Sequence, residues 1–387
     1  MKIVYVENVR IPSERAHAYQ IVQTCAWLSR LGHDVTLVNP DRAGGKDVFD
    51  AYGLQKQLFH HEHIASWDPL TTWPVAKALA YNLQRWAFTR ALRTWAGSIS
   101  ADAWITRDAA MIDALQDVVK GPWILESHDT PDADAARWER IRHLVIAHVA
   151  ISEGMADRLA ELGVPRDRIL VAQDGYDPEE YKNCLSREEA RKELGVPADA
   201  FVAFYPGSFY PWKGIDLAVQ AWEKTPSDWH LVLMGGPEGD RARLNALIAP
   251  SVRERVHLLP AKPRAELVRF YPAADVGLLT SSPAHDIGRR YTSPLKQFEY
   301  LAARLPVVAS DVPSSHEILT DVTARFFQPT PEGLLTVLQD VAQDPAWRAA
   351  ASAAGPQCVQ PYSWERRTQS IADWIKKAVS AYHPSNV

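Results

Sequence analysis

Apolar and polar positions along the chain alternate between two periods. KIVYVENV (2–9) is a short apolar, β-branched run, AHAYQIVQTCAWLSRLG (16–32) repeats its apolar positions at helical spacing, and DVTLVNP (34–40) returns to a strand pattern. AWITRD, WILESH, HLVIAHVAIS and RILVAQDG continue the strand series, with the helical EGMADRLAEL between the last two. From residue 201 the rhythm begins again: FVAFYPGS, IDLAVQAW, HLVLMGG, a helix near 238–248, VHLLP, a helix near 263–272, DVGLLT, a helix opening at Pro294, PVVAS and ARFFQP. Strands that alternate with helices make parallel sheets covered on both faces. Two such runs predict two doubly wound α/β domains facing across a cleft, because ligands gather at the carboxyl ends of open sheets. The expected division is 1–175 and 176–363, with a hinge after Asp174-Gly175 and a helix over 364–381 packing back on the first domain. Residues 40–75 are the least regular part, and HHEH (60–63) reads there as a solvated polar loop.

With 387 residues and 47% hydrophobic content, each domain can bury its own core. A net charge of −5, with no basic cluster interleaved with aromatics, excludes a nucleic-acid partner from the expectation. Three cysteines without metal spacing favour a reduced, cytoplasmic compartment. The opening residues follow a strand pattern rather than that of a signal peptide, and no run is long enough to span a membrane. Fourteen tryptophans are many, and Trp67, Trp73, Trp86, Trp95 and Trp104 crowd one region. That crowding is either packing or a surface for an acceptor or for peripheral contact with the inner face of a membrane.

Candidate chemistry lies at the strand-to-helix crossings. In TSPLKQFE (292–299), Ser293 suits an N-cap and Pro294 the first helical position, which leaves the amides of Leu295, Lys296 and Gln297 at the positive end of the helix dipole. Lys296 and Glu299 lie three apart, so one face offers a cation to phosphate and a carboxylate to a nearby diol. FYPGSFYPWKG (204–214) ends a strand at Gly207 and opens a helix near Lys213, a second anion site whose convergence with the first would suit a pyrophosphate. In the first domain, His128 of ILESHDT and His17 of ERAHAYQ stand at strand-to-helix junctions on the cleft side. HHEH has no further ligand cluster beside it, so no metal site is expected.

SPLKQFEYLAARLPVVASDVPSSHEIL closely resembles the sugar-nucleotide segment of retaining GT-B glycosyltransferases, in particular glycosyltransferase family 4 (glycosyl transferases group 1). ITRD, ISEGMADRL, QDGYDPEEY, YPGSFYPWKGIDLAVQAW and YSWERRTQSI extend the likeness over nearly the whole chain. The resemblance implies a GT-B fold of two Rossmann-like domains, acceptor-side first and donor-side second. It implies that Glu299 accepts from the nucleotide ribose, that the amides around Leu295 cradle the diphosphate, and that Lys213 neutralises it. It also implies that His128 faces the donor sugar and that backbone near Ala261-Lys262 reads the base. No obligatory metal or cofactor is implied, the donor being a UDP- or GDP-linked sugar and the acceptor a hydroxyl compound. Two positions depart from the pattern: Tyr291 stands where the first glutamate of Glu-x7-Glu belongs, and Ser208 where the usual arginine of a Gly-Arg turn belongs. The first crossover lacks the usual Gly-Gly pair, so His17 and its neighbouring amides take the phosphate side. A sugar-nucleotide epimerase on the same plan and a nucleotide-sugar-binding protein without catalysis stay open as alternatives.

Overall fold

The computed structural model describes residues 1–13, 15–42, 44–69 and 76–382. Trp73, most of the DPLTTWP stretch and Glu14 of ERAHAYQ lie outside the described residues. The chain divides into two compact units, Met1–Gln173 together with the segment from Trp364, and Asp174–Ser363.

The first unit is a parallel sheet of seven strands: β1 (Lys2–Val6), β2 (Asp34–Pro40), β3 (His60–Ile64), β4 (Ala103–Thr106), β5 (Trp123–Ser127), β6 (Val145–Ala150) and β7 (Ile169–Val171). They lie in the order β3-β2-β1-β4-β5-β6-β7. The helix Ala16–Arg30 presses Ile21, Val22 and Cys25 onto the sheet beside Ile3, Tyr5 and Ile124, and the C-terminal helix Trp364–Ala381 adds Ile371, Ala372 and Ile375 to the same core. The second unit has six parallel strands: β8 (Phe201–Pro206), β9 (Trp229–Met234), β10 (Val256–Leu259), β11 (Val276–Leu279), β12 (Val307–Ser310) and β13 (Ala324–Phe327). Their order is β10-β9-β8-β11-β12-β13. All six residues of β8 and of β9 are buried, as helices on both faces require of a parallel strand.

Each sheet reverses its direction of growth once, between β1 and β4 in the first unit and between β8 and β11 in the second. The loops leaving those strands at their carboxyl ends diverge to opposite faces and leave a crevice.

One reading of the irregular region is corrected. HHEH is not a loop: it forms β3, an edge strand paired in parallel with β2 from Thr36↔His60 to Pro40↔Ile64. Exposed histidines fit an edge, where one side of the strand needs no apolar cover. The described tryptophans of the crowded region divide between core and surface. Trp104 is buried and packs between Trp95 and Trp123, while Trp67 and Trp86 are exposed. Among the described residues no helix is long and apolar enough to cross a membrane, and no group of three or more His, Cys, Asp or Glu side chains is placed to hold a metal ion.

Candidate functional site

In the second unit the reversal point is built from the loop after β8 and the loop after β11. Gly207 follows β8 at φ +126, and a Cβ placed there would lie 2.9 Å from the Lys296 Nζ. The absence of a side chain is what lets that ammonium reach the backbone. Lys213 ends a short 3-10 turn, Pro211–Lys213, which is pinned to the loop after β11: Thr280 Oγ1 donates to the Lys213 carbonyl at 2.7 Å, and the Ser282 amide donates to Trp212 O at 2.9 Å. Gly214 then takes φ +64 so close to Thr280 that a Cβ would stand 2.0 Å from its carbonyl oxygen.

Neither lysine forms an ion pair or hydrogen bond with a described residue, although Asp174 acts on Lys213 and Glu299 on Lys296 through space. Instead the Lys213 ammonium lies 3.7 Å from the centre of the Trp212 ring, and that of Lys296 4.6 Å from the Tyr205 ring. Desolvation pushes Lys296 down to about 8, against the pull of Glu299. Desolvation and the nearby Lys296 charge hold Lys213 well below its ordinary value, with Asp174 opposing them. Two desolvated cations that repel one another are stabilised by an anion placed between them.

Beside them begins the helix Leu295–Ala302. The expected cap is corrected here. Pro294 itself is the N-cap residue, extended at ψ 123, so Ser293 lies one position too early to reach the first turn. The Ser293 hydroxyl accepts from the Asp174 amide at 3.1 Å instead. The Gln297 amide is taken by Pro294 O at 3.1 Å, so of the three expected donors only Leu295 and Lys296 keep amides unclaimed by a described residue. Since proline offers no side-chain acceptor, nothing local closes that end of the helix.

Glu299 and Lys296, three apart on the helix, turn their side chains to different neighbours. Glu299 is buried, with Oε1 held by Arg264 and Oε2 accepting from Tyr271 Oη at 2.6 Å. Burial alone would raise this carboxyl, yet Arg264 and Tyr271 hold it below the usual range. Arg264 also reaches Glu180 at 2.8 Å. An ionised carboxylate has room for further donors beyond these two, so a diol can still bind it. Lys262 follows β10 in an exposed loop and spends its ammonium on Glu266 at 3.1 Å, leaving backbone as what it can offer a ligand. Ser208 contributes its carbonyl to Tyr205 Oη at 3.0 Å and brings no charge.

In the first unit the reversal point gathers a buried polar cluster. His128 stands just past β5, with Nε2 2.9 Å from Glu126 Oε1. Glu126 also receives Tyr5 Oη at 2.6 Å, Arg107 at 2.9 Å and Arg367 at 2.6 Å. Burial would raise the Glu126 carboxyl, but the two guanidinium groups keep it well below the usual range. Desolvation and Arg107 push His128 down to about 3, although Glu126 pulls the other way. His17 lies in the first turn of Ala16–Arg30, half-buried, and desolvation with Arg107 and Arg15 lowers it to about 4. Both imidazoles are therefore neutral near pH 7. Glu7, just past β1, is raised to about 8 by burial, while the hydrogen bond from the Arg107 amide opposes that rise.

The structure thus brings Gly207, Lys213, Leu295 and Lys296 together in the second unit with Glu299 one helical turn on, and sets His17 and His128 around Arg107 in the first. Sequence reasoning missed Glu126, Arg107, Arg367, Arg264 and Tyr271. Glu126 stands inside the buried strand β5 and Arg107 directly after β4, and a charge within or just past a buried parallel strand was the signal to follow. Nothing local marked Arg367, which acts 241 positions away from Glu126.

Residues 200–344 match the family model described as Glycosyl transferases group 1, and the match lies wholly within the second unit. A D-inositol 3-phosphate glycosyltransferase from Saccharomonospora viridis is 29% identical over 242 residues, which is 59% of this chain and 54% of the relative. The chain thus spans about half the length of that curated relative. Sucrose-phosphate synthase from Thermosynechococcus elongatus aligns with a TM-score of 0.79 at 16% identity, covering 98% of this chain and all of that one. Anabaena HepE in complex with UDP and glucose aligns with a TM-score of 0.76 at 16% identity, over 97% of this chain and all of the other. At that identity the two structures speak for the fold: this chain has the two Rossmann-like units of GT-B proteins. The resemblance to GT-B glycosyltransferases drawn from the sequence motifs agrees with the family match and the curated relative, and the two structures agree with its fold.

Proposed function

We propose, from a second unit that carries a group 1 glycosyltransferase domain, that the protein is a retaining glycosyltransferase. Its donor is a nucleoside-diphosphate sugar, UDP- or GDP-linked, and its acceptor a hydroxyl compound. One observation carries the reading most: the Lys296 ammonium lies beside Gly207 and within electrostatic reach of Lys213, neither is ion-paired with a described residue, and the helix that carries Lys296 opens with the amides of Leu295 and Lys296 unclaimed by a described residue. A pyrophosphate satisfies two cations and two amides at once. HepE, solved with UDP and glucose, makes UDP the first nucleotide to try.

In the proposed reaction the bond between the anomeric carbon and the diphosphate breaks while the acceptor oxygen attacks the same face. The acceptor proton passes to the departing phosphate oxygen. Lys213 and Lys296 meet the negative charge that grows on the leaving group, and preorganised donors do so without reorganisation. Glu299 anchors the ribose, backbone near Lys262 meets the base, His128 meets the sugar and His17 the phosphate side. No metal takes part.

The test is a thermal-shift screen of nucleoside diphosphates, followed by transfer assays with the stabilising nucleotide's sugars. Expected are a rise in midpoint with one diphosphate, loss of that rise in Lys213→Met, and sugar transfer with retention. Stabilisation without turnover would favour a binding protein, a reading motivated by Tyr291 and Ser208. Interconversion of the free sugar nucleotide would favour an epimerase, and activity that needs added manganese would overturn the metal-free scheme.

A further inference from the structure

The carboxylate beside His128 holds more positive charge than it needs. Glu126 is a single anion, yet both Arg107 and Arg367 bind its Oε1, at 2.9 and 2.6 Å. The side chains of Glu126 and Arg367 are each 2% exposed, so neither interaction is screened by water. Arg367 comes from the first turns of the C-terminal helix and is fixed by two further bonds, Nε to Gln173 O at 2.9 Å and a terminal nitrogen to Thr24 Oγ1 at 3.3 Å. Arg107 is fixed in turn by Tyr5 Oη at 3.0 Å and Gln20 Oε1 at 2.9 Å. His128 closes the cluster at 2.9 Å. Flanked by two guanidinium groups that keep their protons, Glu126 is ionised and can only accept. The hydrogen between it and His128 must therefore sit on Nε2. The other ring nitrogen, Nδ1, then bears a lone pair, makes no hydrogen bond with a described residue, and belongs to a side chain that is 18% exposed.

We infer that Arg367 is a positioning residue: through Glu126 it holds His128 as the neutral Nε2–H tautomer, with Nδ1 left to accept a hydrogen bond from a substrate hydroxyl. The inference rests on the reading of His128 as a group that faces substrate. The two arginines divide the task by number. One neutralises Glu126, and the second makes the cluster net positive, which opposes protonation of the imidazole. The charged and titratable groups facing His128 are Glu126, Arg107 and Arg367, with Tyr5 behind Glu126, and the low value of His128 agrees with their sum. An imidazolium would donate from both nitrogens and turn a donor toward the hydroxyl it should accept from.

The full-length chain labelled with 15N-histidine, its His128 signals assigned by comparison with His128→Asn, reports the tautomer directly. Expected in the wild type is a protonated Nε2 and bare Nδ1 from about pH 8 down to about pH 5, well below where a free histidine titrates. In Arg367→Met the ring should show mixed tautomers or take up a proton within that range. A misplaced group of this kind costs up to about a hundredfold in rate, so kcat should fall by that order while donor KM holds, the nucleotide site being in the other unit. Arg367→Lys, which keeps the charge, should recover part of both readouts. A wild-type His128 protonated at Nδ1, or already an imidazolium near pH 6, overturns the inference, as does a folded Arg367→Met with unmoved His128 signals. The wild-type titration and Arg367→Lys decide the matter should Arg367→Met not fold. If the signals behave as expected but no sugar nucleotide is turned over, the glycosyl-transfer reading fails and the tautomer assignment stands.

Discussion

Lys296 shows how one buried charge ties binding to pH. Its ammonium is held at about 8, below the ordinary 10.5, mainly by desolvation. In the ligand-free protein the unfolded chain binds more protons between those two values, so stability rises across that window as pH rises and the cost of burying the charge is largest below it. Diphosphate affinity should run the opposite way, falling as pH climbs through about 8, because the anion needs the ammonium. Calorimetry of UDP in buffers of different ionisation enthalpy should therefore show proton uptake on binding near pH 8.5, on the order of a fraction of a proton. No uptake in that range would remove Lys296 from the phosphate site. Glu299 poses a second residue-scale question, because its oxygens already serve Arg264 and Tyr271. Glu299→Gln turns an amide donor toward one of those donors and should cost about 1–3 kcal/mol of stability. If the carboxylate also meets the ribose, affinity for the nucleoside diphosphate should fall about ten- to a hundredfold in the folded variant. A lowered midpoint with unchanged affinity would leave Glu299 a purely structural residue.

At the scale of elements, the turn between β8 and the helix Ile215–Trp222 is the most constrained piece. Gly214 needs both its left-handed backbone and the missing Cβ, since the Thr280 carbonyl would otherwise stand 2.0 Å from that atom. Gly214→Ala must push apart the loops after β8 and β11, at a cost of about 1–3 kcal/mol for the backbone strain alone. Because Lys213 rides on that turn, diphosphate affinity should fall by more than the stability loss explains. Affinity within twofold of wild type would show that the turn does not set the site, as a twofold change is only about 0.4 kcal/mol. Elements also explain which motifs misled. TSPLKQFE announced a helix start correctly, but the placement of the cap depends on the ψ of Pro294, and spacing cannot report that angle. HHEH lacks apolar alternation because β3 is an edge with little to bury, so the signal that marks central strands is absent there.

The whole molecule has a separate core in each unit. Ile375 of the C-terminal helix packs with Ile3, Ile21 and Ile124 in the first unit, whereas Phe298, Tyr300 and Leu301, from the helix that carries Lys296, belong to a core of the second. Ile375→Ala should lower stability by about 2–4 kcal/mol, felt in the first unit. A stabilising diphosphate should shift a melting transition that this variant leaves in place, so two transitions should part in a scan with and without nucleotide. A single transition moved equally by both would mean that the units unfold as one.

The sequence by itself determined the alternation of strands and helices, the division into two α/β units and the motifs at the crossings of the second unit. Each of these is written in local periodicity or in short runs of glycine, proline and capping residues. It also singled out Lys213, Lys296, Glu299, His17 and His128, because chemistry at a strand's carboxyl end is visible as a polar residue after an apolar run. Tertiary structure alone decided their partners. Lys296 turned to Gly207 and Glu299 to Arg264, since packing, not spacing, chose the rotamer of each. Arg367 met Glu126 because a helix at the far end of the chain docks on the first sheet. Such charge clusters are chosen by desolvation and by which side chains converge in space, and neither quantity has a local signature along the chain.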